Sequence, residues 1–219
     1  MDNPWTDLPA EAPFVLPQDK PVMDRYAPLL TGDHTLRLDK LPLPYVGSPA
    51  QASVLLLALN GGFKPHDIDH QNNDQDYAEQ NRKNLTFESR YSFFYLDPAF
   101  DYTGGCQWWH RRLRHFIDRY GLEAVASQFA CVQSFPYCST SYKALPRQVP
   151  SQEYSFSLVR QAVQDSKPIV IMRSREIWFR CIPELRGYPY IELRNARNPY
   201  FSPAQMSASQ FERLEAALE

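Results

Sequence analysis

The chain has four cysteines, Cys106, Cys131, Cys138 and Cys181, and no two of them stand as C-x-x-C. A zinc ribbon or iron–sulfur cluster therefore has no ligand frame, and reduced, mostly buried thiols are expected. No apolar run approaches the ~20 residues of a membrane-spanning helix. Charge of one sign is also lacking: 23 Lys and Arg against 25 Asp and Glu leave a net −2, so any binding of nucleic acid must come from a local patch. No G-x-S-x-G nucleophile elbow and no H-E-x-x-H helix occur. The start, MDNPWTDLPAEAP, is acidic and proline-rich, unlike a secretory leader. We expect a cytoplasmic monomer that contacts no membrane and carries no cofactor or metal. One crowding of potential ligands, His66, Asp67, Asp69, His70, Asp74 and Asp76, lacks the spacing of an EF-hand or a zincin. It leaves a metal-dependent hydrolase as a minor alternative.

What is present is the composition of a folded enzyme-sized domain: 219 residues, 43% of them hydrophobic. Nine of the 19 prolines fall in the first 50 residues, which predicts an extended lead-in over residues 1–45, packed on the domain 46–219 through Trp5, Phe14 and Tyr26. Short apolar runs bounded by breakers predict strands at 54–59, 129–133, 168–173 and 189–193. Helical spacing appears at 107–120, 152–166, 175–182 and 207–218. Strands alternating with helices predict a three-layer α/β/α sandwich around a central, mostly parallel four-stranded sheet. Residues 64–90 are polar with almost no apolar periodicity. They read as a long loop, either a lid or recognition loop or a solvated excursion.

The stretch VLLLALNGGFKP, Val54 to Pro65, runs six apolar residues into Asn60, Gly61, Gly62 and Phe63. An uninterrupted run reads as a strand covered on both faces, and ligands gather at the carboxyl ends of such strands. The glycines allow a backbone to approach a ligand or to turn with positive φ, though a plain Asn-Gly turn is also open. FACVQSFPYCSTSY leaves its strand at Gln133 and is expected to turn through Phe135, Pro136 and Tyr137. YIELRNARNPYFSPAQM leaves at Arg194 and reaches the last helix through Asn198, Pro199 and Ser202. Three amides and several aromatic rings around one crevice suit a flat, hydrogen-bonding ring such as a nucleobase.

The order of these segments resembles the uracil-DNA glycosylase superfamily, and most closely its mismatch-specific uracil/thymine branch, over residues 45–219. In that family a strand enters a G-x-N-P-G-type loop whose Asn positions the hydrolytic water; here ALNGGF offers Asn60. An N-P-S-type loop enters the family's last helix; here RNPYFSP offers Asn198 and Pro199. VQSFPY resembles the segment that reads the base edge, and IVIMRSREIW the strand-to-helix step. The resemblance implies Asn60 and Asn198 as catalytic residues and Gly61, Gly62, Phe63, Gln133, Phe135 and Tyr137 around the base. It implies Arg197, Pro199, Tyr200 and Ser202 along the DNA backbone. The sequence departs from the pattern where Gly61 replaces proline, Tyr200 replaces serine, and Gln133 stands for the usual Asn. The implied activity is hydrolysis of the N-glycosidic bond of a flipped uracil, mismatched or modified base in DNA. A non-catalytic sensor of nucleobases or modified DNA with the same fold is the alternative.

Six arginines against three glutamates between Arg173 and Arg197, and Arg111, Arg112, Arg114 and Arg119 in the 107–120 helix, could hold phosphates or could be an ordinary solvated face. His110 and His115 read as surface or packing residues, and Asp67 and Asp97 are alternative water-activating groups.

Overall fold

The structure, a computed structural model, describes residues 1–195 and 198–219. Val54, Leu55, Leu56 and Leu57 are 0% exposed. A strand sealed on both faces needs a layer above and below it, and it receives both. Strands β1 (Tyr45–Val46), β2 (Val54–Gly62), β3 (Phe129–Ser139), β4 (Ile169–Ile171) and β5 (Ile191–Glu192) form one sheet in the order β1-β3-β2-β4-β5. β2 pairs in parallel with β3 through Leu55↔Ala130 and with β4 through Leu55↔Ile169, and β4 pairs in parallel with β5. The four expected strands are thus neighbours, with β2 internal.

The sheet has a fifth strand that was not expected, and it is mixed. β1 runs antiparallel on β3 through Tyr45↔Val132 and Val46↔Cys131. Two residues between Pro44 and Gly47 are too few to show a period. Its outer edge is protected by one amide: Asn84 Nδ2 donates to the Tyr45 carbonyl (2.9 Å) and Asn84 Oδ1 accepts from Gly47 N (3.1 Å).

Among the described residues the helices are α1 (Lys20–Tyr26), α2 (His66–Asn73), α3 (Gln75–Asn84), α4 (Gly104–Tyr120), α5 (Leu122–Gln128), α6 (Gln152–Gln164), α7 (Arg175–Cys181) and α8 (Ala208–Ala216). Alternate residues of β2 face opposite ways. Leu55 and Leu57 join a cluster with Tyr154, Phe156 and Val159 of α6 and Trp178 of α7. Val54 and Leu56 join another with Trp109, Leu113 and Phe116 of α4, Val125 of α5, and Phe211 and Leu214 of α8. Helices therefore cover both faces of the sheet. No described helix is long and apolar enough to cross a membrane.

Three local expectations are corrected. Residues 64–90 are not a loop but carry α2 and α3, whose inward stripe is Tyr77, Gln80, Asn81 and Asn84. The stripe has helical spacing but is made of amides, so a search for apolar periodicity misses it. The amides serve backbone: Gln71 Oε1 accepts from Leu41 N (2.8 Å), and Gln80 Oε1 accepts from Arg90 N (2.9 Å). The lead-in is not purely extended, since it contains α1 and short 3₁₀ turns, while Trp5 and Phe14 are buried and Tyr26 packs against the same cluster. Finally, β2 and β3 run further than expected, so Phe135, Pro136 and Tyr137 lie in a strand, not a turn. The register accommodates this with a bulge: Asn60 pairs with Phe135 but Gly62 with Ser139.

The lead-in is fastened by Asp19, which is 0% exposed. Its Oδ1 accepts from Ser151 N (2.8 Å), and its Oδ2 accepts from Ser151 Oγ (2.5 Å) and the Tyr137 hydroxyl (2.7 Å). Burial pushes its carboxyl above the ordinary value of 3.8, although these hydrogen bonds pull the other way. A raised folded-state pKa means the native protein holds this proton more tightly than the unfolded chain. The stabilisation is full below the ordinary value and is lost as pH rises through the folded one. The stability of the wild type relative to Asp19→Asn should therefore fall as pH rises from the ordinary carboxyl value through the raised folded-state one, measured as the difference in urea midpoints. A difference that grows in favour of the wild type contradicts the assignment.

Candidate functional site

From β2 the chain crosses to β3 on one side, then from β3 to β4 on the other. The carboxyl end of β2 therefore borders the switch point where open α/β sheets bind ligands. Asn60 sits there, half-buried. Its Nδ2 donates to Ser139 Oγ (3.0 Å) and, at 3.5 Å, approaches the Tyr137 carbonyl. Ser139 Oγ gives its own hydrogen to the Ser141 carbonyl (3.2 Å), so it must accept from Asn60. That fixes which way the amide faces. Oδ1 makes no hydrogen bond among the described residues and is left to accept one from a bound molecule.

The glycines after Asn60 do not turn the chain: neither has positive φ, and both belong to β2. Gly61 is required by close approach, because a Cβ there would lie 2.8 Å from Cys138 Sγ and 3.3 Å from Leu43 Cβ. Gly62 faces open space. Phe63 is 7% exposed, and the Arg37 guanidinium lies 4.1 Å from its ring centroid. Arg37 in turn holds Asp39 (3.0 and 2.5 Å), and this hydrogen bond keeps the Asp39 carboxyl below the usual range. Nothing in the sequence marks Arg37, because it comes from the lead-in and reaches the site only through folding.

On β3, Gln133 pairs with Ala58 and is 5% exposed; its Oε1 is buried without a hydrogen-bond partner. Phe135 packs edge-on to Tyr137 (5.7 Å) in the interior. The Tyr137 hydroxyl is committed to Asp19 and its ring is 1% exposed, so only its main-chain carbonyl touches the site.

β2, β4 and β5 are parallel, so the loops that follow them leave from the same end of the sheet. β4 separates β2 from β5, which sets Asn60 and the root of the second loop about 10 Å apart. No hydrogen bond joins Asn198 to Asn60 among the described residues. Asn195 is the organiser of that loop: its Oδ1 accepts from Asn198 N (3.1 Å), and its own N donates to Gln205 Oε1 (3.2 Å). Phe201, 0% exposed, anchors the loop by donating from its N to the Arg112 carbonyl (3.1 Å). Pro199 is buried, Ser202 is half-buried, and Arg197 lies outside the described residues. Tyr200 is 37% exposed, with the Arg112 guanidinium 4.3 Å from its ring and 4.8 Å from that of Trp108. Part of the basic surface is internally neutralised: Arg114 pairs with Asp118, Arg119 with Glu215 and Arg175 with Glu192.

The acids of 66–76 are mostly caps. Asp67 accepts from Lys64 N (2.8 Å), Asp74 from Tyr77 N (3.0 Å), and Asp76 pairs with Arg90 (2.8 Å). No group of three metal-ligating side chains gathers among the described residues. Asp97, 3% exposed, accepts from Arg90 Nε (2.6 Å) and Ala99 N (2.9 Å). A cavity of about 410 Å³ lies elsewhere, between Tyr95, Leu96, Asp97 and the first turns of α4. Its only thiol, Cys106, is pushed up to about 12 by burial and is no nucleophile. The strand ends, with an oriented amide and a covered aromatic ring, carry the better chemistry. Comparison with protein-family models, curated proteins and solved structures finds no match to this chain.

The two glycines should separate on substitution. Gly61→Ala forces Cys138 or Leu43 to move and should destabilise by about 1–3 kcal/mol. Gly62→Ala should stay within about 0.5 kcal/mol. Equal melting temperatures for the two variants would show that the close approach of β2 to Cys138 is not tight.

Proposed function

We propose that the chain is a divergent relative of the uracil-DNA glycosylases, acting on a base flipped from DNA. In this reading its four parallel strands, ordered β3-β2-β4-β5, are the family's sheet, with β1 an added antiparallel edge. The observation that carries the proposal is Asn60: a neutral amide at the switch point, with Nδ2 tied to Ser139 and Oδ1 unengaged. Oδ1 accepts a hydrogen from a water and aims that water's oxygen at the anomeric carbon. The bond from that carbon to the base nitrogen breaks, its electron pair leaves with the base, and the water oxygen bonds to the sugar. An amide cannot take up the water's proton, which passes to solvent. The reaction therefore depends on a good leaving group, stabilised as an anion.

The Phe63 ring is covered by the Arg37 guanidinium, which sets positive charge next to the strand end where a base would bind. The aromatic and cationic surface of Trp108, Arg112 and Tyr200 is the counterpart on the second loop, suited to a DNA strand. A non-catalytic binder is the second reading. It is favoured by the sealed Gln133 amide, whose Oε1 is buried without a partner.

Duplexes carrying uracil, mismatched thymine or modified bases, incubated with the protein and then treated with alkali, decide between the two. Strand breaks mark base release; binding without breaks marks a sensor. If release occurs, Asn60→Ala should lower kcat by about 10²-fold or more while changing DNA affinity little. Ser139→Ala, which frees the amide to rotate, should lower kcat by about tenfold with KM unchanged. An Asn60→Ala protein with full activity refutes the assigned role and moves attention to Asp67.

A further inference from the structure

We propose that the groove between the loop that follows β3 and helix α7 binds a phosphate ester through Arg147 and Arg180. The groove has a volume of about 90 Å³, with Phe135 and Tyr142 among its apolar lining and Arg147, Gln148, Arg180 and Cys181 among its polar lining. A space of this size takes several waters, and so has room for one phosphate-sized group.

Its place follows from the sheet. β3 and β4 are the parallel neighbours of β2, so the loop leaving β3 and the turn leaving β4 into α7 stand at the same end of the sheet, on either side of the end of β2. A Cβ on Gly61 would meet Cys138 and Leu43, which belong to the cluster under α4 and α8; Asn60, one residue earlier, is therefore on the face of α6 and α7. Phe135, the register partner of Asn60, packs on that face with Phe156 and Trp178. The groove thus shares a face of the sheet and a strand neighbour with the oriented amide. Its walls are fixed by side-chain amides. Gln148 Nε2 donates to Cys181 Sγ (3.1 Å) and ties the loop to α7. Gln152, 6% exposed, donates from Nε2 to the Ser134 carbonyl (2.5 Å) and accepts at Oε1 from Val149 N (2.9 Å). The ring of Tyr142 lies 5.9 Å from that of Phe135.

The charge of the groove is of one sign. Two arginines line it and no acidic side chain does. Neither guanidinium has a hydrogen bond or ion pair among the described residues. The one acid of α6 and the one acid of α7 are already engaged: Glu153 by Arg160 (2.6 Å), which also donates to the Cys181 carbonyl (3.2 Å), and Glu176 by Arg175 (3.6 Å). Burial pushes the Cys181 thiol and the Tyr142 hydroxyl up, so both are neutral near pH 7 and cancel nothing. A phosphate offers oxygens to both planar forks at once, whereas a carboxylate has two oxygens and a single charge. The exposed part of the Tyr142 ring is left for the organic half of the ester. A phosphate in a nucleic-acid strand and the phosphate of a free nucleotide present the same chemistry here, and the experiment separates them.

Deoxyuridine, deoxyuridine monophosphate and a short single-stranded oligothymidylate are titrated calorimetrically into the wild type, Arg147→Gln and Arg180→Gln. The control is Arg114→Gln, whose guanidinium pairs with Asp118 on the other face of the sheet. Arg147 and Arg180 are exposed, so their variants should melt with the wild type. Each should weaken a phosphate-bearing probe about tenfold and leave deoxyuridine unchanged, while Arg114→Gln alters neither. Weakened binding of the monophosphate assigns the groove to a free nucleotide; weakened binding of the oligothymidylate alone assigns it to a phosphate within a strand. The proposal is overturned if neither phosphate-bearing probe binds, if the groove substitutions leave both affinities unchanged, or if Arg114→Gln weakens them as much. None of these readouts needs turnover, and failure of the glycosylase reading shows separately, as absence of alkali-labile breaks from the wild type.

Discussion

The parallel pairing of β2 with β3 is the constraint on which the rest depends. Both strands are buried on two faces, so each needs a full layer of helices on either side, and a parallel pair forces the chain to cross over between them. The crossover from Gly62 to Phe129 supplies α2 to α5. The bulge in this pairing matters as much as the pairing. By setting Gly62 against Ser139 where a regular ladder would have brought Tyr137, it places the Ser139 hydroxyl under the Asn60 amide. A regular register would have left that amide without its clamp.

The lead-in completes the site rather than decorating the domain. Pro44 O accepts from Gln133 N (2.8 Å), Leu43 N donates to Pro136 O, and Arg37 N donates to Cys138 O, so the segment follows β3 well beyond β1. Pro136 has no N–H of its own, and the neighbouring segment bonds only to its carbonyl. Proline-rich chain is suited to this task. It loses little entropy on becoming ordered, and it can lie beside a strand without extending a regular edge for other chains to join.

Much of the framework was legible because strands sealed on both faces are apolar where they cross the core, and β2, β3 and β4 contain such runs at 54–59, 129–132 and 169–171. Asn60 was legible for the same reason, as the first polar residue after such a run. Other parts rest on contacts that carry no hydrophobic signal. α3 presents Gln80, Asn81 and Asn84 inward, and β1 is two residues among prolines. In RLDKLPLP nothing distinguishes the exposed Asp39 from the buried Lys40 or from Arg37 stacked on Phe63. In the second loop the motif drew attention to Asn198, whereas Asn195, three residues earlier, does the bonding. Sequence pattern locates a polar residue in such a loop, but only the fold decides which amide faces the backbone.

Unsatisfied buried polar atoms are by themselves a poor guide to function here. Asn81 leaves both Nδ2 and Oδ1 unpaired within α3, and Ser155 Oγ and Trp178 Nε1 are unpaired in the helices on the other face. Each costs free energy wherever it sits. What distinguishes Gln133 is its place, opposite Ala58, which stands two residues before an amide already oriented by Ser139. A packing fault would be equally at home anywhere in the two helical layers.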